Sequence, residues 1–162
     1  FHFLTKESEV LSESSLIPDN SIDIKMMRIS PDNNFVWFGY KNCELVLFSI
    51  FSKEISKRFG EIHDSITVMR LSKDGEILYT AGMEEIKLFS LKRQIMYKKF
   101  ANVSSSTIHA IELSSDGKRL YVGDFCGNLK VISSETGGVW MDFGKISEKQ
   151  IWRLFLTDDD RF

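Results

Sequence analysis

Four short segments of this chain can be laid over one another: Ile29-Ser30-Pro31-Asp32-Asn33, Leu71-Ser72-Lys73-Asp74-Gly75, Leu113-Ser114-Ser115-Asp116-Gly117 and Leu156-Thr157-Asp158-Asp159-Asp160. The step from Ser30 to Ser72, and again from Ser72 to Ser114, is 42 residues; from Ser114 to Thr157 it is 43. Residues upstream keep the same step. Ile24, Ile66, Ile108 and Ile151 form one column, and Met27, Met69, Ile111 and Leu154 another. Several aligned columns at one period mean that one supersecondary unit is copied along the chain, each copy burying its apolar face against the next.

Each copy reads as strands. Before the anchor, Ile66-Thr67-Val68-Met69-Arg70-Leu71 is apolar and β-branched. The anchor is a turn, with an Asp side-chain acceptor and a residue that tolerates positive φ. A second strand follows at Phe35–Phe38, Ile77–Thr80 and Arg119–Val122, then a glycine-containing loop. The third strand is Leu45–Phe48, Ile86–Phe89 or Leu129–Ile132. The fourth, at Glu54–Phe59, Gln94–Phe100 and Gly138–Phe143, reads as the more polar outer edge, where charge discourages edge-to-edge pairing. No stretch carries a capped helical period. A 42-residue unit of four strands fits the propeller-blade period. The expected fold is all-β: a partial β-propeller of four-stranded antiparallel blades, three of them full and two flanking ones in part. The boundaries fall at 1–21 (partial), 22–63, 64–106, 107–149 and 150–162 (partial), with Phe1–Leu4 as a third strand. Leu71 and Leu113 are expected in the core.

The stretch His63-Asp64-Ser65-Ile66-Thr67-Val68-Met69-Arg70-Leu71-Ser72-Lys73-Asp74-Gly75 places a histidine eleven residues before the turn aspartate. In this it resembles the WD-repeat family, and the likeness extends over residues 22–157. Ile62 stands where that family prefers glycine, and Phe48-Ser49, Phe89-Ser90 and Ile132-Ser133 replace its Trp-Asp pair. The family's buried His-Ser-Asp-Trp hydrogen-bond set is therefore expected to be incomplete in every blade. The resemblance implies rigid blades that present loops and a channel to other proteins, with no catalytic role.

Composition narrows the alternatives. Lys and Arg number 21 against 23 Asp and Glu, a net charge of −2, so no global field attracts nucleic acid or anionic lipid. Hydrophobic residues make up 43% of the 162, enough to fill a core and exclude wholesale disorder. No apolar run approaches the ~20 residues of a membrane-spanning helix. Cys43 and Cys126 are too sparse for a disulfide scaffold or zinc site and read as reduced thiols of a cytoplasmic protein, the nucleus not excluded. Asn102-Val103-Ser104 is a lone glycosylation sequon. The chain starts at Phe1 and closes in mid-pattern, so it is expected to belong to a longer propeller whose remaining blades are among its partners.

First strands border the channel of a propeller. One column there holds Lys25, Thr67, His109 and Trp152, and another Arg28, Arg70, Glu112 and Phe155. From these, Lys25, Arg28, Arg70, His109 and Trp152 are candidates for binding a partner protein; Trp152 leads, since Trp is enriched in hot spots. The bland alternative is that Arg28, Arg70 and Glu112 pair between adjacent blades, and that Trp152 is core. A catalytic reading of His63, Asp64 and Ser65 fails, because adjacent side chains do not converge as a triad does. His2 and His109 lack metal-ligand spacing, and Asp158-Asp159-Asp160 overlays a turn; no cofactor or metal is called for. Two other classes stay open. Lys53, Lys57, Arg58, Lys92, Arg93, Lys98 and Lys99 form a basic rim for nucleic acid, though without interleaved aromatics. An enzyme site at the channel mouth would need converging acids and bases, which these columns lack.

Overall fold

A computed structural model describes residues 23–157. The partial blade at 1–21, His2 and the Asp158-Asp159-Asp160 turn lie outside the described residues. The rest forms twelve strands in three antiparallel sheets, each a simple meander. The first contains β1 (Ile24–Ile29), β2 (Phe35–Tyr40), β3 (Glu44–Ser49) and β4 (Glu54–Glu61). The second contains β5 (Val68–Leu71), β6 (Ile77–Ala81), β7 (Ile86–Ser90) and β8 (Ile95–Phe100). The third contains β9 (Ile108–Leu113), β10 (Arg119–Asp124), β11 (Asn128–Ser133) and β12 (Val139–Lys145). Among the described residues, no helix is long and apolar enough to cross a membrane. The chain divides into two compact units at Ile62–His63.

The repeated turns are alike down to their hydrogen bonds. Ser72 donates to Asp74 at 2.6 Å and accepts the amide of Ile77, while Asp74 accepts the amide of Glu76. Ser114, Asp116, Lys118 and Arg119 repeat this arrangement, as do Ser30, Asp32, Asn34 and Phe35. Positive φ falls on Asn33, Gly75 and Gly117, the residues after each aspartate. Serine hydroxyls first, then backbone amides, hold Asp32, Asp74 and Asp116 below the usual carboxylate range. Their stabilising effect is complete above pH about 3.8 and disappears as the pH falls through the lower folded values. Ser72→Ala removes two of these bonds and is expected to cost about 1–2 kcal/mol in urea unfolding, the hydroxyl being part-buried.

In the first unit, Val36, Phe38, Tyr40, Val46 and Phe48 form one buried face of the sheet, with Ile24, Ile50 and Ile55 against it. Trp37 points the other way and stacks at a tilt on Phe59, ring centroids 5.5 Å apart. The second unit is held by one core shared between its two sheets. Tyr79, Ala81, Ile86, Leu88 and Phe100 meet Ile108, Ile111, Leu120, Val122 and Ile132 there, with Val103 between. Polar contacts join the same two sheets: the Ile108 amide donates to Gly82 O at 3.0 Å, the Thr67 hydroxyl to Ile108 O, and Lys98 to Glu135 O.

Two sequence expectations need correction. Leu71 and Leu113 are only partly buried; the fully buried positions are their cross-strand partners Leu78 and Leu120, since the first strand ends at the rim of the sheet. The outer strands are also less polar than they read. β4 exposes Glu54, Lys57 and Arg58, but β8 exposes Ile95, Met96 and Tyr97, and β12 exposes Val139, Trp140, Met141 and Phe143. All three outer strands instead carry register shifts against their inner neighbours. Bulges twist an edge away from pairing, so they replace charge as its protection.

Candidate protein-interaction site

Trp152 follows β12 at the column of His109, and the structure brings the two together: the ring centroids lie 5.0 Å apart at 55°. Phe125, in the turn between β10 and β11, also contacts His109, ring centroids 5.8 Å apart. Trp152 is 62% exposed and Phe125 54%, so a half-buried imidazole carries two open aromatic faces. Phe125 was not legible as a site residue, because a turn position belongs to neither apolar period.

The backbone explains how the cluster is held. The amide of Ile151 donates to Asp124 O at 3.0 Å, repeating 43 residues later the bond from Ile108 to Gly82 O. Ile151 and Leu154 pack on Ala110 and Leu129, while a Cβ on Gly123 would lie 2.6 Å from Ile151. Residues 151–157 form no ladder, unlike β9, although Ile151 repeats the seat of Ile108. Trp152, next to a buried Ile151, is thereby turned outward.

The other candidates are not part of this cluster. Arg70 forms an ion pair with the buried Glu112 of the neighbouring sheet, 42 residues on. Because Arg70 is substantially exposed, the pair is worth ~0–1 kcal/mol. Lys25 and Arg28 belong to β1 in the first unit, with Arg28 donating to Met27 O at 2.7 Å. Phe155 is exposed beyond Leu154. Three members of the basic rim have partners within the fold. Arg58 pairs with Glu44 at 2.7 Å, Lys99 with Glu85, and Lys98 is spent on a carbonyl.

Polar chemistry concentrates at the loop ends of the second unit. The His63 ring contacts Thr80 Oγ1 through Nε2 at 2.9 Å and Glu85 Oε1 through Nδ1 at 3.3 Å. Burial tends to raise the Glu85 carboxyl, but Lys87 at 2.8 Å and Lys99 outweigh it and hold it at about 2. Burial, reinforced by Lys87, keeps His63 below the usual histidine range in spite of Glu85. Histidine, hydroxyl and carboxylate are thus assembled around this sheet without a tryptophan, three parts of the four-residue set.

In the third sheet the equivalent place is filled differently. Asp124, buried, accepts from Ser104 Oγ at 2.7 Å and from the Asn128 amide and side chain at 2.9 Å each. Burial opposes ionisation there, and these donors overcome it to lower the pKa. A polar cleft of about 220 Å³ lies beside them, lined by Ser105, Lys130 and Asp142 as well. The Ser104 hydroxyl of the sequon is therefore bound inside the fold. Among the described residues, no group of three or more His, Cys, Asp or Glu side chains is arranged to hold a metal ion. Neither Cys43 nor Cys126 forms a disulfide among the described residues, and Cys126 donates to Ser106 Oγ at 3.4 Å.

No family model matches the sequence, and no curated protein matches it. Solved structures do. A crystal structure of RRP9 WD40 repeats superposes with a TM-score of 0.71 at 14% identity, covering 81% of this chain and 41% of that one. The structure of U3-55K gives 0.73 at 13% identity, covering 83% of this chain and 43% of that one. The chain thus spans about four-tenths of the length of these neighbours. At such identity the likeness concerns architecture: this chain has the fold of the WD-repeat β-propellers, in three four-stranded blades.

Proposed function

We propose that the chain is a non-enzymatic, intracellular scaffold segment that binds other proteins, and that Trp152, His109 and Phe125 are its contact point. One observation carries this reading: two large aromatic rings stand exposed and both contact the ring of one half-buried histidine. Rigid aromatic anchors lose little conformational entropy on binding and dominate interface energetics. The WD40 repeats of RRP9 share this fold, but one fold hosts many functions, and it is the exposed aromatic surface of this chain that points to a protein partner.

Lys25, Arg28 and Arg70 are retained as secondary contacts. A nucleic-acid reading is weaker, because Arg58, Lys98 and Lys99 already have partners. The test is quantitative cross-linking of the wild-type chain in its own cells against Trp152→Ala, Phe125→Ala and an exposed control, Phe51→Ala. Trp152→Ala is expected to lower capture of specific partners about thirtyfold, as loss of roughly 2 kcal/mol implies, with Phe51→Ala unchanged. An identical partner set for Trp152→Ala and wild type would refute the assignment.

A further inference from the structure

The His63 ring closes the loop that leads into the second blade, and its surroundings carry more charge than one imidazole needs. Its side chain is 1% exposed. Glu85, held ionised, can only accept, so in the neutral ring Nδ1 bears the hydrogen and Nε2 accepts from the Thr80 hydroxyl. Glu85 Oε1 is also the oxygen that Lys87 Nζ reaches at 2.8 Å, and Lys99 takes Oε2. Two ammonium groups and one carboxylate already leave an excess of one positive charge. A second cation on the shared oxygen would face Lys87 directly, on a ring that is itself closed to water although Glu85 and Lys99 are partly open to it.

The other acidic groups near the ring, Asp64 and Glu84, are exposed, so solvent screens them more strongly than it screens Lys87. Its own loop brings Asp64, an exposed residue; the β6–β7 turn brings Glu84, also exposed, beside Glu85; β7 and β8 bring Lys87 and Lys99; and residues 101–107 bring no charged side chain. Gly82 lets the loop pack closely on the end of β6, since a Cβ there would lie 2.6 Å from Ser65 O and 3.1 Å from His63 Nδ1. We propose that His63 is an acid-released latch: when the ring gains a proton, the 63–67 loop lets go of the end of β6, opening the second blade locally while the core shared with the third blade stays closed.

The direction follows from linkage. Proton uptake accompanies opening, because the ring binds protons more weakly when latched. The latch is therefore complete above pH about 6.5 and weakens as the pH falls below that value, until the folded ring itself titrates. Opening becomes about tenfold more frequent for each pH unit in that window.

The test is amide exchange of the intact 162-residue chain, corrected for intrinsic rates, at pH 7.5 and pH 5. Wild type is expected to lose about tenfold to thirtyfold protection at Thr67, whose amide donates to Ala81 O, and at Gly82, with Leu120 unaffected. His63→Gln, neutral at both pH values, is expected to show no such loss. Lys87→Met, removing the competing cation, is expected to raise the His63 midpoint measured by ring-carbon NMR and to reduce the loss. Unchanged wild-type protection at pH 5, an equal loss in His63→Gln, or an unmoved midpoint in Lys87→Met would each overturn the proposal. The Lys87 variant keeps the question decidable if His63→Gln does not fold.

Discussion

Gly127→Ala is expected to be the most damaging alanine substitution among the described glycines. Gly127 holds φ at +84°, and a Cβ there would lie 1.9 Å from the carbonyl oxygen of Ser147 and 2.9 Å from that of Lys149. Neither neighbour is a flexible side-chain tip. Both belong to the backbone that the Ile146 and Ser147 amides tie back to Gly127 O at 2.9 and 3.2 Å. Relief requires the whole 146–149 segment to lift, which would also carry Ile151 and Trp152 away from their seats. Left-handed backbone alone costs a non-glycine residue ~1–2 kcal/mol, and the collision should bring the total to about 4 kcal/mol, the range of the severest point mutants. Gly117→Ala separates the two effects. Its φ is +70° but nothing lies within 4 Å of the added carbon, so about 1 kcal/mol is expected. Urea unfolding of the pair checks this; equal losses would show that the close approach of the two loops does not hold in solution.

Leu120→Ala is expected to cost about 2–5 kcal/mol, as a void in the core between the second and third blades. Leu120 is fully buried in that core, whereas Leu113, directly across the ladder, is only partly covered. Leu113→Ala should therefore cost visibly less, about 1 kcal/mol. For a chain of this length each kcal/mol lowers Tm by about 2–4 °C, so thermal melts resolve the two. A larger loss for Leu113 than for Leu120 would place the buried column one strand inward of where the structure puts it.

Those two leucines show where the sequence was legible. The 42-residue step, the strand positions and the Ser-x-Asp turns are local patterns: each needs a few neighbouring residues and one hydrogen-bond geometry, and all three described turns form alike. Depth within a sheet is not local. Leu113 and Leu120 are equally apolar, and only the ladder separates a strand's rim from its centre. The outer strands mislead for the same reason. Their lysines and arginines were visible, but the bulges that make charge dispensable depend on register with the inner neighbour.

The candidate site divides along the same line. His109 and Trp152 share a column, so the repeat already placed them at equivalent positions, and the structure adds their contact at 5.0 Å. Arg70 and Glu112 likewise stand one period apart, and the ion pair weighed from their spacing is present. Phe125 and the Glu85–Lys87–Lys99 group around His63 gave no signal, since turn and alternate-strand positions converge only after folding.

Gly82 and Asp124 stand 42 residues apart at the same end of the second strand, and each is matched to its own loop. Gly82 is bare because the imidazole of His63 fills the space beside it, and Asp124 brings its own carboxylate to bind the small Ser104. Exchange of one member without the other gives either a collision or an ionised group stripped of its donor. Loop and strand end would thus have to be transplanted together, so that blades built on one pattern are not interchangeable parts.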